Sequence, residues 1–439
     1  MEQETHKSFF ERFVHSQVFG SIVLIIAAVT AVVWANSPWS ELYHAISHLE
    51  IGVIFAGNTY QMGLAHWVKD GLMTIFFFVV GLEIKREVLL GELSSVRKAT
   101  LPVLAAVGGS VTPALIYYFF NPSGPAMSGW GIPMATDIAF ALGILALLGK
   151  RVPTGLKIFL TALAIVDDLI AVLVIAIFYT AHINIKSLML AGFFLFLFYM
   201  AVKSKSKRPF LYLFPAIGVW ACFMVSGIHA TIAGVIIALL IPVKSRIDPS
   251  EFLQQIKQSI DALMKSGPLT RGSLTYNKQQ WQLVEEIYLA ADDMIPPGIF
   301  LEKHLHPVQA LFILPLFALF AAGVTINAQT LASFPGPLSL GIIVGLILGK
   351  QVGITLFSWL AIVTGIADLP KGVRWLHVWG VSVLAGIGFT MSIFISELGL
   401  GSQALIDEAK ISIFIASFVA GVMGYIVLRK TLPREGAAD

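Results

Sequence analysis

Four ionisable side chains fall inside long apolar runs: Asp137, Asp167, Asp168 and Lys350. A charge at mid-bilayer costs at least about 2.5–3.5 kcal/mol, so such residues mark a functional site by default. Three carboxylates cannot all be neutralised by one ammonium. At least one of them must therefore be protonated or must bind a cation. Asp167 and Asp168 are adjacent on a helix and point about 100° apart. One can face a cavity while the other reaches Lys350 on a neighbouring span. Burial penalises the charged form of both residue types, which suits groups that take up and release protons. Carboxylate oxygens suit a small hard cation, and no His or Cys cluster offers a transition-metal site. A purely structural bridge between one acid and Lys350 is the competing reading of that pair.

Interrupted helices would have to position these groups. Asp137 ends the run Pro133-Met134-Ala135-Thr136-Asp137, where proline removes a backbone hydrogen bond and kinks the chain. A second run, Gly386-Ile387-Gly388-Phe389-Thr390, sits in the middle of another apolar segment. Breaks at corresponding positions of two halves point to a transport site at the midplane. Asp137 is placed to balance two positive helix N-termini, and Lys350 the negative C-termini. Thr136 and Thr390 either serve the breaks or bond back to their own helices.

The composition agrees. Of 439 residues, 57% are hydrophobic and 13% charged, against about 25% charged in soluble proteins. That excludes a soluble enzyme, a nucleic-acid binder and a disordered chain. The single cysteine, Cys222, excludes a disulfide framework. No signal peptide precedes the first apolar run, since the stretch from Met1 to Gln17 is polar. Twelve apolar segments are predicted to span, at 17–36, 67–84, 99–119, 132–149, 156–181, 186–203, 209–225, 227–243, 307–332, 338–362, 374–396 and 409–429. The fold class is an all-α polytopic membrane protein with a small external β-hairpin. With the N-terminus inside, 25 of the 29 Lys and Arg fall in inner segments. Only Lys69, Lys186 and Lys410 fall outside, and Lys350 lies within a span. This bias predicts both termini in the cytoplasm. Spans 3–5 and 10–12 then start on opposite sides, as in an inverted 3+3 repeat.

Two connections stand out. Glu50 to Met62 alternates apolar and polar residues around Gly57-Asn58 and predicts a β-hairpin, which needs something to pair with, such as a second protomer. Residues 244–306 form the one long polar stretch. Asp248-Pro249-Ser250-Glu251 reads as a helix start. Phe252, Leu253, Ile256, Ile260, Leu263 and Met264 follow on one face. Trp281, Val284, Tyr288 and Ala291 mark a second helix, closed by Pro296-Pro297. Both are predicted to lie against the cytoplasmic face.

Several segments resemble one family. LAIVDDLIAV (163–172), PMATDIAFALG (133–143), KDGLMTIFFFVVGLEIKRE (69–87), SGIHATIAGVIIALLIPVK (226–244), LGKQVGI (348–354) and GIGFTMSIFI (386–395) closely resemble the NhaA-type sodium/proton antiporters. The resemblance runs from about Phe10 to Arg429. It implies twelve helices with the fourth and eleventh broken, and a homodimer bridged by the external hairpin in the bacterial inner membrane. It also implies electrogenic, pH-activated export of sodium or lithium in exchange for protons by alternating access, with no cofactor. By this resemblance Asp168 is the main cation ligand. Asp167 binds the cation or pairs with Lys350. Thr136 and Asp137 serve the break, and Asp70 is an acid in the external part of helix 2. Glu83, Lys85, Arg86 and Glu87, with Glu302 and His306, resemble a cytoplasmic pH-response cluster. His229 matches a histidine that influences the pH profile, or else is a satisfied interface histidine.

The implied organisation is 1–96 for helices 1–2 and the hairpin (interface and dimerisation), and 97–181 for helices 3–5 as the first repeat of the ion-translocation core. Residues 182–306 hold helices 6–8 and the cytoplasmic loop, and 307–335 helix 9. Residues 336–430 hold helices 10–12 as the second repeat of that core, and 431–439 the tail. From the residues alone, two other readings stay open. A sodium-coupled solute symporter would need a larger polar cavity. A cation channel would need rings of identical groups from symmetric subunits. An ATP-driven pump lacks its phosphate loop, since Gln351 follows Gly349-Lys350.

Overall fold

The computed structural model describes residues 17–55, 58–180, 183–204, 206, 208–270, 272–326 and 334–433. The basic residues Lys7, Arg12, Lys205, Lys207, Arg271 and Arg434, and residues 56–57 between the two strands, lie outside them. The chain is mostly helical. In order come α1 (Gln17–Ala35), strands β1 (Glu50–Phe55) and β2 (Asn58–Gly63), α2 (Met73–Leu90) and α3 (Val96–Phe120). A 3-10 helix (Pro125–Met134) leads to α4 (Ile138–Leu147), α5 (Thr154–Phe178), α6 (Ile185–Lys203), α7 (Phe210–Ser226) and α8 (Thr231–Leu240). Then follow α9 (Pro249–Lys265), α10 (Lys278–Met294), α11 (Pro297–Ala321), α12 (Pro337–Val363), α13 (Trp375–Leu384), α14 (Phe389–Gly399) and α15 (Gln403–Thr431).

Among the described residues, eight helices are long and apolar enough to cross a bilayer, or nine if α13 and α14 form one bent span. The other segments expected to span, at 67–84, 209–225 and 227–243, are also helical. However, α2 carries Glu83, Lys85, Arg86 and Glu87, and α7 and α8 are short. Large apolar side chains stand on the outside: Phe119 is 81% and Ile177 68% exposed. In water such a surface would be costly, whereas in lipid it is solvated.

The core is set by close helix approaches. Gly108 of α3 and Gly353 of α12 face each other, and a Cβ at either would run into the other's carbonyl oxygen. This contact brings α12 against α3, and α5 packs on α3 as well. Three π-helical turns interrupt the helices, at Val68–Leu72, Gln309–Ile313 and Gly345–Gly349. Such turns are rare and gather at functional positions. Here they hold Asp70, hold Gln309 and immediately precede Lys350.

Several expectations need correction. The fourth segment does not start at 132 as an α-helix. It starts at Pro125 as a 3-10 helix, with proline at its first position and again at Pro133. The ninth starts ten residues early, because Pro297 opens α11 rather than only ending α10. Glu302 and His306 are therefore helical residues. The strands pair antiparallel with Phe55 opposite Asn58, so Asn58 belongs to β2 and not to the turn. Trp67 Nε1 ties the hairpin to the bundle through the Ile51 carbonyl at 2.9 Å.

In the 244–306 stretch, Asp248 caps α9 as expected, accepting from Ser250 N at 2.9 Å. The Ser250 bonds hold its carboxyl below the usual carboxylate range. But α9 and α10 pack on each other through small and polar residues: Ser259, Gln280 and Ala290 are buried, and Ser259 Oγ donates to Glu286 at 3.2 Å. Of the residues predicted on the apolar faces, Leu253, Ile260, Met264, Trp281 and Tyr288 are exposed, whereas Phe252, Ile256, Leu263, Val284 and Ala291 are half-buried. Phe252, Ile256 and Leu263 share the face of Ser259, so the apolar face predicted for α9 is partly covered.

Candidate functional site

The site is built on the two breaks. After Met134 the backbone turns extended through Ala135 and Asp137 before α4 begins. Opposite it, α13 and α14 are bent by 48° at residues 385–388. The two breaks bond to each other. Asp137 N donates to Ile387 O at 2.7 Å, and Thr136 Oγ1 donates to Ala385 O at 2.9 Å. Ser392 Oγ donates to Ile132 O at 2.8 Å. Asp137 then caps two helices at once. Its Oδ1 accepts from Phe140 N at 3.0 Å at the start of α4. Its Oδ2 accepts from Thr390 N at 3.1 Å and from the Thr390 hydroxyl, at the start of α14. One carboxylate thus meets two positive helix ends. Both threonines bond across the breaks, not back to their own helices.

α5 carries the adjacent acids. Lys350 Nζ donates to Asp167 Oδ2 at 2.7 Å, with both side chains fully enclosed. Ser110 Oγ of α3 donates to the other Asp167 oxygen at 3.0 Å. Lys350, expected to balance the helix C-termini, gives its bond to Asp167. The carbonyls of Ile132 and Ala385 are met by the hydroxyls of Ser392 and Thr136. Asp168 is 1% exposed, and its Oδ2 has no hydrogen-bond partner among the described residues. It lines a cavity of about 110 Å³ together with Asp137, Glu83, His306 and Thr390. A hard carboxyl oxygen without a partner among the described residues thus lines a space large enough for water, where a cation or a proton can meet it.

Comparison with known proteins decides the family. The family model described as "Na+/H+ antiporter 1" matches residues 11–428. A Na(+)/H(+) antiporter NhaA of Oleidesulfovibrio alaskensis is 47% identical over 96% of this chain and 94% of its own length. One from Acidithiobacillus ferrooxidans is 44% identical over 97% of this chain and 98% of its own length. The chain belongs to the NhaA-type Na+/H+ antiporter family. It is a transporter, not an enzyme.

The remaining residues singled out by resemblance to NhaA fall in three places. Arg86 Nε is shared between both Glu302 oxygens at 3.0 Å, and Arg86 Nη1 lies 2.7 Å from Glu87. Glu83 and His306 line the cavity that reaches Asp168. Lys85 Nζ donates to the Leu239 carbonyl at 2.8 Å and to that of Ile241, closing the end of α8. His229 is not brought to this cluster. Its Nε2 is 2.8 Å from the Tyr179 carbonyl, beyond the far end of α5. Asp70 is likewise apart, 3.8 Å from His66 in the π-turn before α2. Among the described residues no group of three or more His, Cys, Asp or Glu side chains gathers as a metal site.

Sequence reasoning missed several buried polar groups. Glu397 Oε1 lies 2.8 Å from both Lys69 and Lys410, and Glu408 accepts from Ser339. Four buried charges were therefore an undercount. Glu397 falls one residue past the segment read as 374–396, and Lys410 one residue inside 409–429, so both read as span ends. Ser110 gave only the weak signal of small residues, Gly108-Gly109-Ser110, within an apolar run.

Proposed function

We propose that this protein exports sodium, or lithium, in exchange for protons, by alternating access, with the cation and the proton competing for Asp168 and Asp167. The observation that carries the reading is the free Asp168 oxygen at the cavity wall, beside an Asp167 already held by Lys350. A cation entering the cavity meets one uncommitted carboxylate. Drawing Asp167 to the same ion weakens its bond to Lys350, which then releases a proton; when sodium leaves, the pair re-forms. Asp168 holds a proton in the sodium-free state and gives it up to the entering ion, so with the one from Lys350 two protons leave per sodium and the cycle carries net charge. A solute symporter is disfavoured by size, because pockets for organic ligands run to about 300–1,000 Å³ and this cavity has about 110 Å³.

The framework proposed around this site is twelve spans, with spans 3–5 and 10–12 as inverted repeats and the fourth and eleventh broken. The domain boundaries are those given above. Both termini face the cytoplasm of a bacterial inner membrane, and the hairpin joins two protomers. The cluster around Arg86 and Glu302 tunes the pH response. The test is exchange in proteoliposomes, reading internal pH when sodium is added. Asp168→Asn keeps the shape and removes the charge, so exchange is expected to vanish at every pH while the protein still purifies folded. Persisting exchange in that variant would refute the assignment.

A further inference from the structure

We propose that Gln309 and Thr161 form a second cation subsite, where an alkali ion that still holds part of its water rests before reaching Asp168. The inference rests on the antiport reading above. Two of the buried oxygens without a hydrogen-bond partner among the described residues, Asp168 Oδ2 and Gln309 Oε1, line the same cavity. Buried polar atoms are nearly always paired, so an unpaired amide oxygen calls for an occupant. Gln309 opens the π-turn Gln309–Ile313, two residues after Pro307. The widened turn places its amide in the cavity wall, one helical turn beyond His306.

Thr161 lines the same cavity. It precedes Asp168 by seven residues on α5, hence lies on the same face about 10 Å away along the axis. Thr161 and Asp168 therefore lie in line along α5, and Gln309 of α11 lines the cavity with them. Glu83 adds a further carboxyl group to this lining. A single water needs roughly 10–15 Å³ of such space, so about 110 Å³ holds an ion with several waters. Hydroxyl and amide oxygens are hard but neutral donors. They replace some water without trapping the ion, and the charge that binds it fully waits at Asp168.

The test uses the full chain in proteoliposomes, with exchange measured over a range of sodium and then lithium concentrations. Gln309→Met and Thr161→Val keep the side-chain shapes and remove the oxygens. The apparent KM for sodium is expected to rise about tenfold in Gln309→Met and less in Thr161→Val, with the maximal rate retained and the lithium-to-sodium KM ratio changed. Gln309→Asn keeps a neutral amide oxygen and is expected to recover part of the KM. Unchanged KM values in both oxygen-deleting variants would overturn the proposal. So would a fall in maximal rate alone, which lost packing would produce. Should Gln309→Met fail to assemble, the near-isosteric Thr161→Val carries the same test. Failure of the antiport reading looks different: wild-type vesicles would show no sodium-driven proton movement, or Asp168→Asn would still exchange.

Discussion

Replacing Lys350 with alanine tests both the chemistry and the energetics of the buried pair. Lys350 and Asp167 are 2.7 Å apart with both side chains fully enclosed. Removing one partner of such a pair typically costs about 3–5 kcal/mol, because the other charge stays buried and uncompensated. Asp167 keeps only the Ser110 hydroxyl at 3.0 Å, which offsets part of this. Thermal melting of Lys350→Ala in detergent should therefore fall well below wild type. The double variant Lys350→Ala/Asp167→Asn should recover most of the loss, since no lone charge remains. The transport consequence is separate. If Lys350 carries one proton per cycle, its loss removes one charge from the stoichiometry. One elementary charge across 100 mV is worth about 2.3 kcal/mol, which is about 50-fold in the sodium ratio reached at equilibrium. Vesicles clamped at that potential should thus show a large potential-dependent shift for wild type and little for Lys350→Ala, whose exchange is weakened but measurable. An equal shift in both proteins would refute the carrier role and leave Lys350 as a bridge to Asp167.

Asp137→Ala removes the caps of α4 and α14 together; at about 0.5–2 kcal/mol per cap it should destabilise by about 1–4 kcal/mol, and a melting curve matching wild type would refute the double-cap reading. Glu302→Gln breaks a partly exposed ion pair with Arg86, worth little to stability, so both it and His306→Ala should displace the pH profile while keeping exchange; identical profiles in both would count against a role in pH response. Deleting residues 52–61 removes most of the hairpin, which is tied to the bundle through Trp67. Dimer mass on native gels should fall while transport persists, and an unchanged dimer would exclude the hairpin as the bridge.

Much of this protein is legible in its sequence, for simple reasons. Apolar runs longer than a bilayer is thick admit few structures besides helices, so the segments from Gln17 to Thr431 could be located without coordinates. Charges inside such runs are too costly to be incidental, so Asp137, Asp167, Asp168 and Lys350 stood out by position alone. The adjacency of Asp167 and Asp168 already meant that they could not do the same job. Other features depend on distance across the chain. Lys350 lies 183 residues from Asp167, and no local pattern says which of the two acids it takes. Tertiary packing gave it Asp167 by setting α12 and α5 both against α3, and left Asp168 Oδ2 without a partner among the described residues. Thr136 and Thr390 could equally have bonded within their own helices; only the crossing of two breaks offered them carbonyl and carboxylate partners 249 and 253 residues away. The π-turn that aims Gln309 depends on one extra residue per turn, which leaves no mark on apolar periodicity. The sequence by itself determined which groups had to be buried and charged. The tertiary structure decided which of them are paired and which one faces the cavity, because pairing is a matter of distance between segments that the chain order does not encode.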